Sequence, residues 1–337
     1  MAKRKIHPAP LPIVRAVEAL QPTPTHARRL TAPDFHRLAD IPPEAEWFAN
    51  IDNEGTKRIY ATSLREFMAF VGILKVEEFR TVTRSHMIAW RKDLEARNLS
   101  GATIRAKLSA LSSLFEYLCE SNVVTHNPVK GVKRPKLESY EGKTPALADH
   151  QARALLSAPP EYTLKGKRDR AILSVLLFHA LRREELCKLK VKDITERRGV
   201  KYFRIHGKGG KIRYVPCHSG TLERVDDYLA LMGVANNTNS PLFRPTRNNT
   251  TNTLEDSITP DGVYRMIRGY AKQAKIGNIE RLGAHALRAT TATNALSNGA
   301  DIAKVQEMLG HANIQTTRIY DRRASRPEDS AVFKVSY

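Results

Sequence analysis

From Glu46 to Asn127 the apolar residues return at helical intervals. Tyr60, Leu64, Phe67, Met68 and Val71 fall on one face of a first helix, and Ser85 to Arg97 carries Ile88, Trp90 and Leu94 on a second. The third is the clearest. Ser100 is suited to cap an N-terminus, and Ile104, Leu108, Leu111, Phe115 and Leu118 follow at spacings of 4, 3, 4 and 3. Such a stripe is the buried side of a helix, not a cofactor box. Asn127-Pro128 ends the helical run.

The pattern changes further on. Ala148 to Ala158 reads as a helix, and Arg168 to Leu181 as a longer one buried on most sides. The latter runs into a charged cluster, Arg182-Arg183-Glu184-Glu185-Leu186, at the edge of the core. Lys201–Ile205 and Lys211–Val215 then flank His206-Gly207-Lys208-Gly209-Gly210, which predicts a β-hairpin with Lys208 at its tip. Ser219 to Met232 is a further helix, and 236–258 reads as a polar, irregular surface excursion. Thr259-Pro260 starts a helix that runs to about Lys275. The expected fold is mainly α with a small β-hairpin or sheet in the second of two domains.

The expected division is an arm over 1–43, a helical domain over 44–128, a basic linker over 129–146, a second domain over 147–325 and a tail over 326–337. The arm is rich in Pro, Arg and His. It reads as loosely ordered apart from a short amphipathic stretch, Leu11 to Leu20, or as a grip for extra DNA or a neighbouring subunit. The linker sets Lys130, Lys133, Arg134, Lys136 and Lys143 among Gly and Pro.

Composition narrows the partner. A chain of 337 residues suits two cores, and 41% apolar residues suffice for globular folding. A formal charge of +20 and a pI near 10.0 attract polyanions. No apolar run is long enough for a membrane span, and none follows Lys3-Arg4-Lys5 as a secretory signal requires. That leaves nucleic acid, with no membrane role. Cys119, Cys187 and Cys217 form neither a disulfide framework nor a zinc pattern, so a reduced, cytoplasmic protein is expected. Thr103, Arg105 and Lys107 beside the apolar stripe are expected to touch DNA. So are Lys133 and Arg134 in the linker, and Lys211 and Arg213 on the hairpin.

The candidate chemistry gathers between Gly283 and Arg322. His285 and Arg288 share a helical face, His311 follows Gly310 in a helix break, and Tyr320 closes a Thr-Thr-Arg-Ile-Tyr segment. Singly, each is an ordinary structural residue; together they fit one task. Cleaving a phosphodiester without a metal requires a nucleophile, charge neutralisation at phosphorus and an acid for the leaving oxygen. A tyrosine is ionised in only about one molecule in a thousand at neutral pH, so it needs a base or a positive field. Guanidinium groups fork onto two phosphate oxygens, and Arg288 and Arg182 are available. Lys208 on its glycine tip suits protonation of the leaving 5′ oxygen. His285 and His311 lie too far apart for a short-range zinc pair, and no G-x-x-x-x-G-K-[ST] is present. No cofactor or metal is expected.

Ala180-Leu181-Arg182-Arg183-Glu184-Glu185-Leu186, Gly207-Lys208-Gly209-Gly210-Lys211, His285-Ala286-Leu287-Arg288 and Leu309-Gly310-His311 with Thr316-Thr317-Arg318-Ile319-Tyr320 resemble the ordered motifs of the tyrosine recombinase (phage integrase) family. The preceding helical unit resembles that family's core-binding domain. The resemblance implies a C-shaped clamp of two domains and a catalytic set of Arg182, Lys208, His285, Arg288, His311 and Tyr320. Tyr320 would form a 3′-phosphotyrosyl bond and free a 5′ hydroxyl, Arg182 and Arg288 would clamp the phosphate, and Lys208 would be the general acid. His285 and His311 would hydrogen-bond the phosphate or handle the tyrosine proton. A homo-tetramer would exchange strands in pairs through a Holliday junction, for integration, excision or resolution of a mobile element. Ala289 departs from the family, where many members carry another His directly after the Arg. The resemblance also implies that a C-terminal segment, here with Val332, Phe333 and Val335, packs into the next subunit. A type IB topoisomerase or a non-catalytic architectural DNA-binding protein are the alternatives.

Overall fold

A computed structural model describes residues 38, 40–136, 145–233, 237–247, 253–277 and 282–321, and at residue 208 the backbone alone. The expected arm with its Leu11–Leu20 stretch lies largely outside the described residues. Lys143, Arg322 and the tail with Val332, Phe333 and Val335 lie outside them as well. Two units emerge, 1–138 and 139–337.

In the first unit, α1 (Pro43–Ala49), α2 (Glu54–Val71), α3 (Arg84–Ala96) and α4 (Gly101–Glu120) surround one core, with a 3-10 turn at Val76–Thr81. Local chemistry sets the ends. The Asn53 side chain accepts from the Thr56 amide at the start of α2, and Gly72, at φ 79°, closes it. The Ser100 hydroxyl accepts from the Thr103 amide at the start of α4. The stripe read from the sequence is buried throughout, with Ile104, Leu108, Leu111, Phe115 and Leu118 inside. Aromatic rings fill the middle. Phe67 meets Trp90 edge-on at 5.1 Å, and Phe79 meets Phe115 at 6.3 Å.

The second unit contains α5 (Asp149–Ser157), α6 (Leu164–His179), α7 (Arg183–Lys188), a three-stranded sheet, α8 (Ser219–Met232), α9 (Pro260–Gln273), α10 (Ala284–Ser297), α11 (Ile302–Leu309) and a short helical turn, Gln315–Arg318. Helix α6 is the central strut. Gly166 lets it start close to the preceding loop, since a Cβ there would fall 1.8 Å from the Pro160 carbonyl oxygen. It stops at His179, short of the Leu181 that its apolar pattern suggested, because Ala180 turns to the left-handed region at φ 53°. On α6, Arg168 and Lys165 both pair with the fully buried Asp169, which also accepts from the Tyr270 hydroxyl.

The expected strand pair is a three-stranded antiparallel sheet, β1 (Ile194–Arg197), β2 (Val200–His206) and β3 (Ile212–Pro216) in that order. The added strand is four residues of mixed polarity, too short to alternate visibly. It joins β2 through Arg198 and Gly199, at φ 50° and 76°, a tight turn that lacks the usual Asn or Asp signal. Ile205 pairs with Arg213 and His206 with Ile212, so the glycine-rich tip projects from the end of the β2–β3 ladder.

Candidate active site

Helix α10 begins at Ala284 and presents His285 outward and Arg288 inward. Arg288 is only 2% exposed. Its Nη1 donates to the carbonyl of Ala180, the cap of α6, and its Nη2 donates to the carbonyl of Leu309, the last residue of α11. Both acceptors are helix C-termini, where orphan carbonyls and the negative ends of two macrodipoles meet. The charge is therefore balanced by backbone rather than by a direct carboxylate contact. Burial first, then the neighbouring Arg182, lowers its pKa to about 10, still far enough above neutrality to keep it charged.

Arg182, close enough for its charge to act on Arg288, has a side chain 45% exposed. Its amide and guanidinium both donate to Glu185, each at 2.8 Å. Glu185 is buried and also accepts two bonds from Arg213, at 2.9 and 2.8 Å. Burial pushes this carboxyl up, but the Arg213 hydrogen bonds and charge and the Arg182 contacts outweigh it and hold it at about 2.

His311 follows Gly310, which ends α11 at φ 64°. Its Nε2 lies 3.0 Å from Nη2 of Arg288, and its Nδ1 lies 3.0 Å from the Thr317 hydroxyl. Burial, then the charges of Arg288, Arg182 and Arg213, lower its pKa to about 4, so the ring is neutral at pH 7. Arginine can only donate, so Nε2 is the acceptor and Nδ1 carries the proton toward Thr317. Lost hydration, then Arg288 and Arg182, likewise hold His285 below the ordinary histidine range.

Thr317 is fully buried and belongs to the turn that leads to Tyr320. The Tyr320 ring stacks on His311, centroids 6.2 Å apart at 26°. It is 4% exposed, in a cluster with Ala180, Ala289, Ala292, Leu296, Val305 and Leu309. Burial raises its pKa, opposed by the fields of Arg288 and Arg182, so at rest the phenol keeps its proton. Arg182, His285, Arg288, His311 and Tyr320 thus converge within one chain. Lys208 is placed by its backbone in the 3-10 turn at the hairpin tip; its side chain lies outside the described atoms. Among the described residues no group of three or more His, Cys, Asp or Glu is placed to hold a metal.

The expected DNA contacts fall into two sets. Thr103, Lys133 and Lys211 are exposed. The others are engaged within the protein. Lys107 pairs with Glu66 at 2.7 Å, Arg105 donates to the Pro135 carbonyl at 3.3 Å, and Arg134 donates to Ser109 at 2.7 Å. Arg213 spends its whole fork on Glu185 and the Met308 carbonyl. Sequence reasoning gave no role to Glu185, Thr317 or the Ala180 carbonyl. Glu185 had a signal in its spacing of three from Arg182; Ala180 and Thr317 lay inside the quoted motifs with nothing to mark what they bond.

Comparison with known proteins gives two family matches, the Phage integrase family over residues 145–326 and the Phage integrase N-terminal SAM-like domain over residues 52–122. Tyrosine recombinase XerC of Thermodesulfovibrio yellowstonii is 32% identical over 275 residues, covering 80% of this chain and 86% of that protein. A tyrosine recombinase of Pseudothermotoga lettingae is 30% identical over 281 residues, covering 82% and 90%. XerH bound to its palindromic difH substrate, in a post-cleavage complex, shares the fold at a TM-score of 0.65 and 19% identity over 96% of each chain. A lambda integrase tetramer on a Holliday junction does so at 0.63 and 16%, covering 88% of this chain and 79% of that one.

Proposed function

The chain belongs to the phage integrase family of tyrosine recombinases, and from that premise we propose how its residues carry out the reaction. It is an enzyme that breaks and rejoins DNA strands at specific sites. Arg288 and Arg182 hold the non-bridging oxygens of the scissile phosphate. Tyr320 attacks phosphorus, the bond to the 5′ oxygen breaks, and a 3′-phosphotyrosyl link forms. The phenol proton passes to a neutral imidazole, that of His285, or that of His311 once Arg288 turns to the phosphate and releases its Nε2. Lys208 at the hairpin tip supplies the proton to the departing 5′ oxygen. A 5′ hydroxyl from a second strand then displaces Tyr320 by the reverse path. The phosphotyrosyl bond stores the energy of the cut, so no nucleotide hydrolysis enters.

The observation that carries this reading is the buried Tyr320 stacked on His311, which in turn accepts from Arg288. Nucleophile, imidazole and guanidinium belong to one chain, so each subunit cuts with its own tyrosine. We propose double-stranded DNA as partner and a homo-tetramer as the working assembly, as in the lambda integrase tetramer on its Holliday junction. We place the protein in the cytoplasm with its DNA; no described helix is long and apolar enough to cross a membrane. The basic, proline-rich first 43 residues favour a mobile element as the biological substrate.

The test uses DNA carrying the recombination site, taken from the flanks of the gene, with a nick that lets the cleaved fragment diffuse away. The wild-type chain accumulates a covalent adduct on a denaturing gel, and Tyr320→Phe forms none while binding with unchanged affinity. An adduct persisting in Tyr320→Phe overturns the assignment of the nucleophile. A plasmid with two sites yields recombinants; relaxation without recombinants overturns the recombinase reading in favour of a topoisomerase.

A further inference from the structure

We infer that Arg213 is a positioning residue that fixes Arg182 and His311 through buried contacts, rather than a residue that grips DNA. The inference rests on the assignment of those two side chains to the phosphate site. Three observations carry it, and all concern where the guanidinium is spent.

Two of its nitrogens fork onto both oxygens of Glu185, at 2.9 and 2.8 Å. That carboxylate is the same one that accepts from the Arg182 amide and guanidinium. The third nitrogen, Nε, donates at 3.1 Å to the carbonyl of Met308, within the last turn of α11. The Arg213 side chain also lies directly on Gly310, where an added Cβ would come within 3.1–3.3 Å of its Cδ and guanidinium nitrogens. All three nitrogens are thus engaged in the protein, and the side chain is only 14% exposed.

The consequence is geometric. The Arg182 side chain is 45% exposed, and a long guanidinium side chain has many rotamers to lose. Glu185 limits them, but a buried carboxylate carrying one guanidinium alone is poorly fixed. Arg213 completes its coordination and pins it to β3, the strand that leaves the Lys208 turn. Through Met308 the same residue sets α11, and with it the Leu309 carbonyl and His311 that meet Arg288. One side chain therefore registers the hairpin, the exposed arginine and the second histidine to each other. A lysine has one ammonium and matches neither the fork nor the third bond.

The experiment compares Arg213→Lys and Arg213→Ala with the wild type on the nicked suicide DNA, measuring affinity and single-turnover adduct formation separately. Each variant is also given DNA whose scissile phosphate is a methylphosphonate, a neutral linkage that relieves the demand for a two-arginine clamp. The expected result is affinity within about twofold of wild type and adduct formation slowed on the order of 100-fold, the scale of a misplaced catalytic group. Arg213→Lys should be nearly as slow as Arg213→Ala, although a lysine would keep a simple phosphate contact. On methylphosphonate DNA the defect relative to wild type should shrink at least about tenfold, as for Arg182→Ala.

Weakened binding with a salt slope reduced by about one, and normal cleavage once bound, would make Arg213 a DNA contact and overturn the inference. A slow variant that methylphosphonate does not rescue, and that unfolds at lower temperature, would make it a fold-stability residue and also overturn it. Failure of the wild type itself to form an adduct would strike the recombinase reading, and is told apart because it precedes any variant.

Discussion

The two units are built from different materials. Among the described residues of the first, three polar or charged side chains are buried, Glu44, Ser63 and Asn127, while Trp47, Phe48, Phe67, Phe79, Trp90 and Phe115 fill the centre. Among those of the second twelve are buried, including Arg168, Asp169, Glu185 and Arg288. An apolar core needs only volume and periodicity. A core containing guanidinium and carboxylate groups must also satisfy every donor and acceptor, and it stays cohesive only while all partners are present. The first unit is therefore expected to fail gradually under core mutation, and the second abruptly when one partner is lost.

The sharpest test sets the two arginines of the site against each other. Arg288→Met keeps the volume but leaves the Ala180 and Leu309 carbonyls without their donor. It should cost about 2–5 kcal/mol of stability in the second unit and about 3–4 kcal/mol of barrier for adduct formation. Arg182→Met should slow adduct formation comparably and cost less stability, because the side chain is 45% exposed and Glu185 keeps both bonds from Arg213. Equal stability losses, read from urea unfolding, would erase the distinction between the buried and exposed arginine.

Next in size is Trp90→Ala in the first unit, expected to cost about 3–5 kcal/mol, as for any large ring removed from a packed core. The unfolding transition of the second unit should not move. If both transitions shift together, the units do not unfold independently.

Acid should separate them further. His179 and His311 stay neutral in the folded chain, with pKa values near 4 against 6.5. Burial is the main cause for both; His311 is also repelled by three arginines. Below pH 6.5 the unfolded chain takes up protons that the folded chain refuses, so stability falls between pH 6.5 and about 4 and then levels off. Glu185 has the opposite chemistry but the same direction. Its contribution is complete above pH 4.5 and is lost as pH falls toward about 2. Both tryptophans of the chain, Trp47 and Trp90, are in the first unit. Far-UV circular dichroism should therefore register acid unfolding of the second unit before tryptophan fluorescence changes. A single coincident acid transition would contradict this.

The smallest effect concerns Ala180, an alanine held at φ 53°. Ala180→Gly removes a left-handed penalty of about 1–2 kcal/mol but adds backbone freedom to the unfolded chain. The net gain should be below about 1 kcal/mol in thermal unfolding, since the buried Ala180 methyl is lost from the cluster around Tyr320.

The same contrast explains what the sequence disclosed. The stripe from Ile104 to Leu118 is repeated contact with one apolar neighbour, and a period of 3.6 reports it. Helix α6 was legible in its interior and not at its end, because Ala180 bends to present a carbonyl to Arg288, a residue far along the chain. Strand β1 is held by pairing with β2 and carries no alternation of its own. Tyr320, His311, Arg288, Arg182 and His285 were visible as a set because ordered motifs carried them. Arg213 was expected to touch DNA for a simple reason. A cation beside a glycine-rich tip looks like a phosphate contact until Glu185, twenty-eight positions earlier, is seen to occupy it.

The carbonyls that Arg288 joins belong to Ala180 and Leu309, segments made early and late in the synthesis of this unit. The guanidinium therefore settles only when the end of α6 and the end of α11 are both in place, and loosening either helix end frees the other from it.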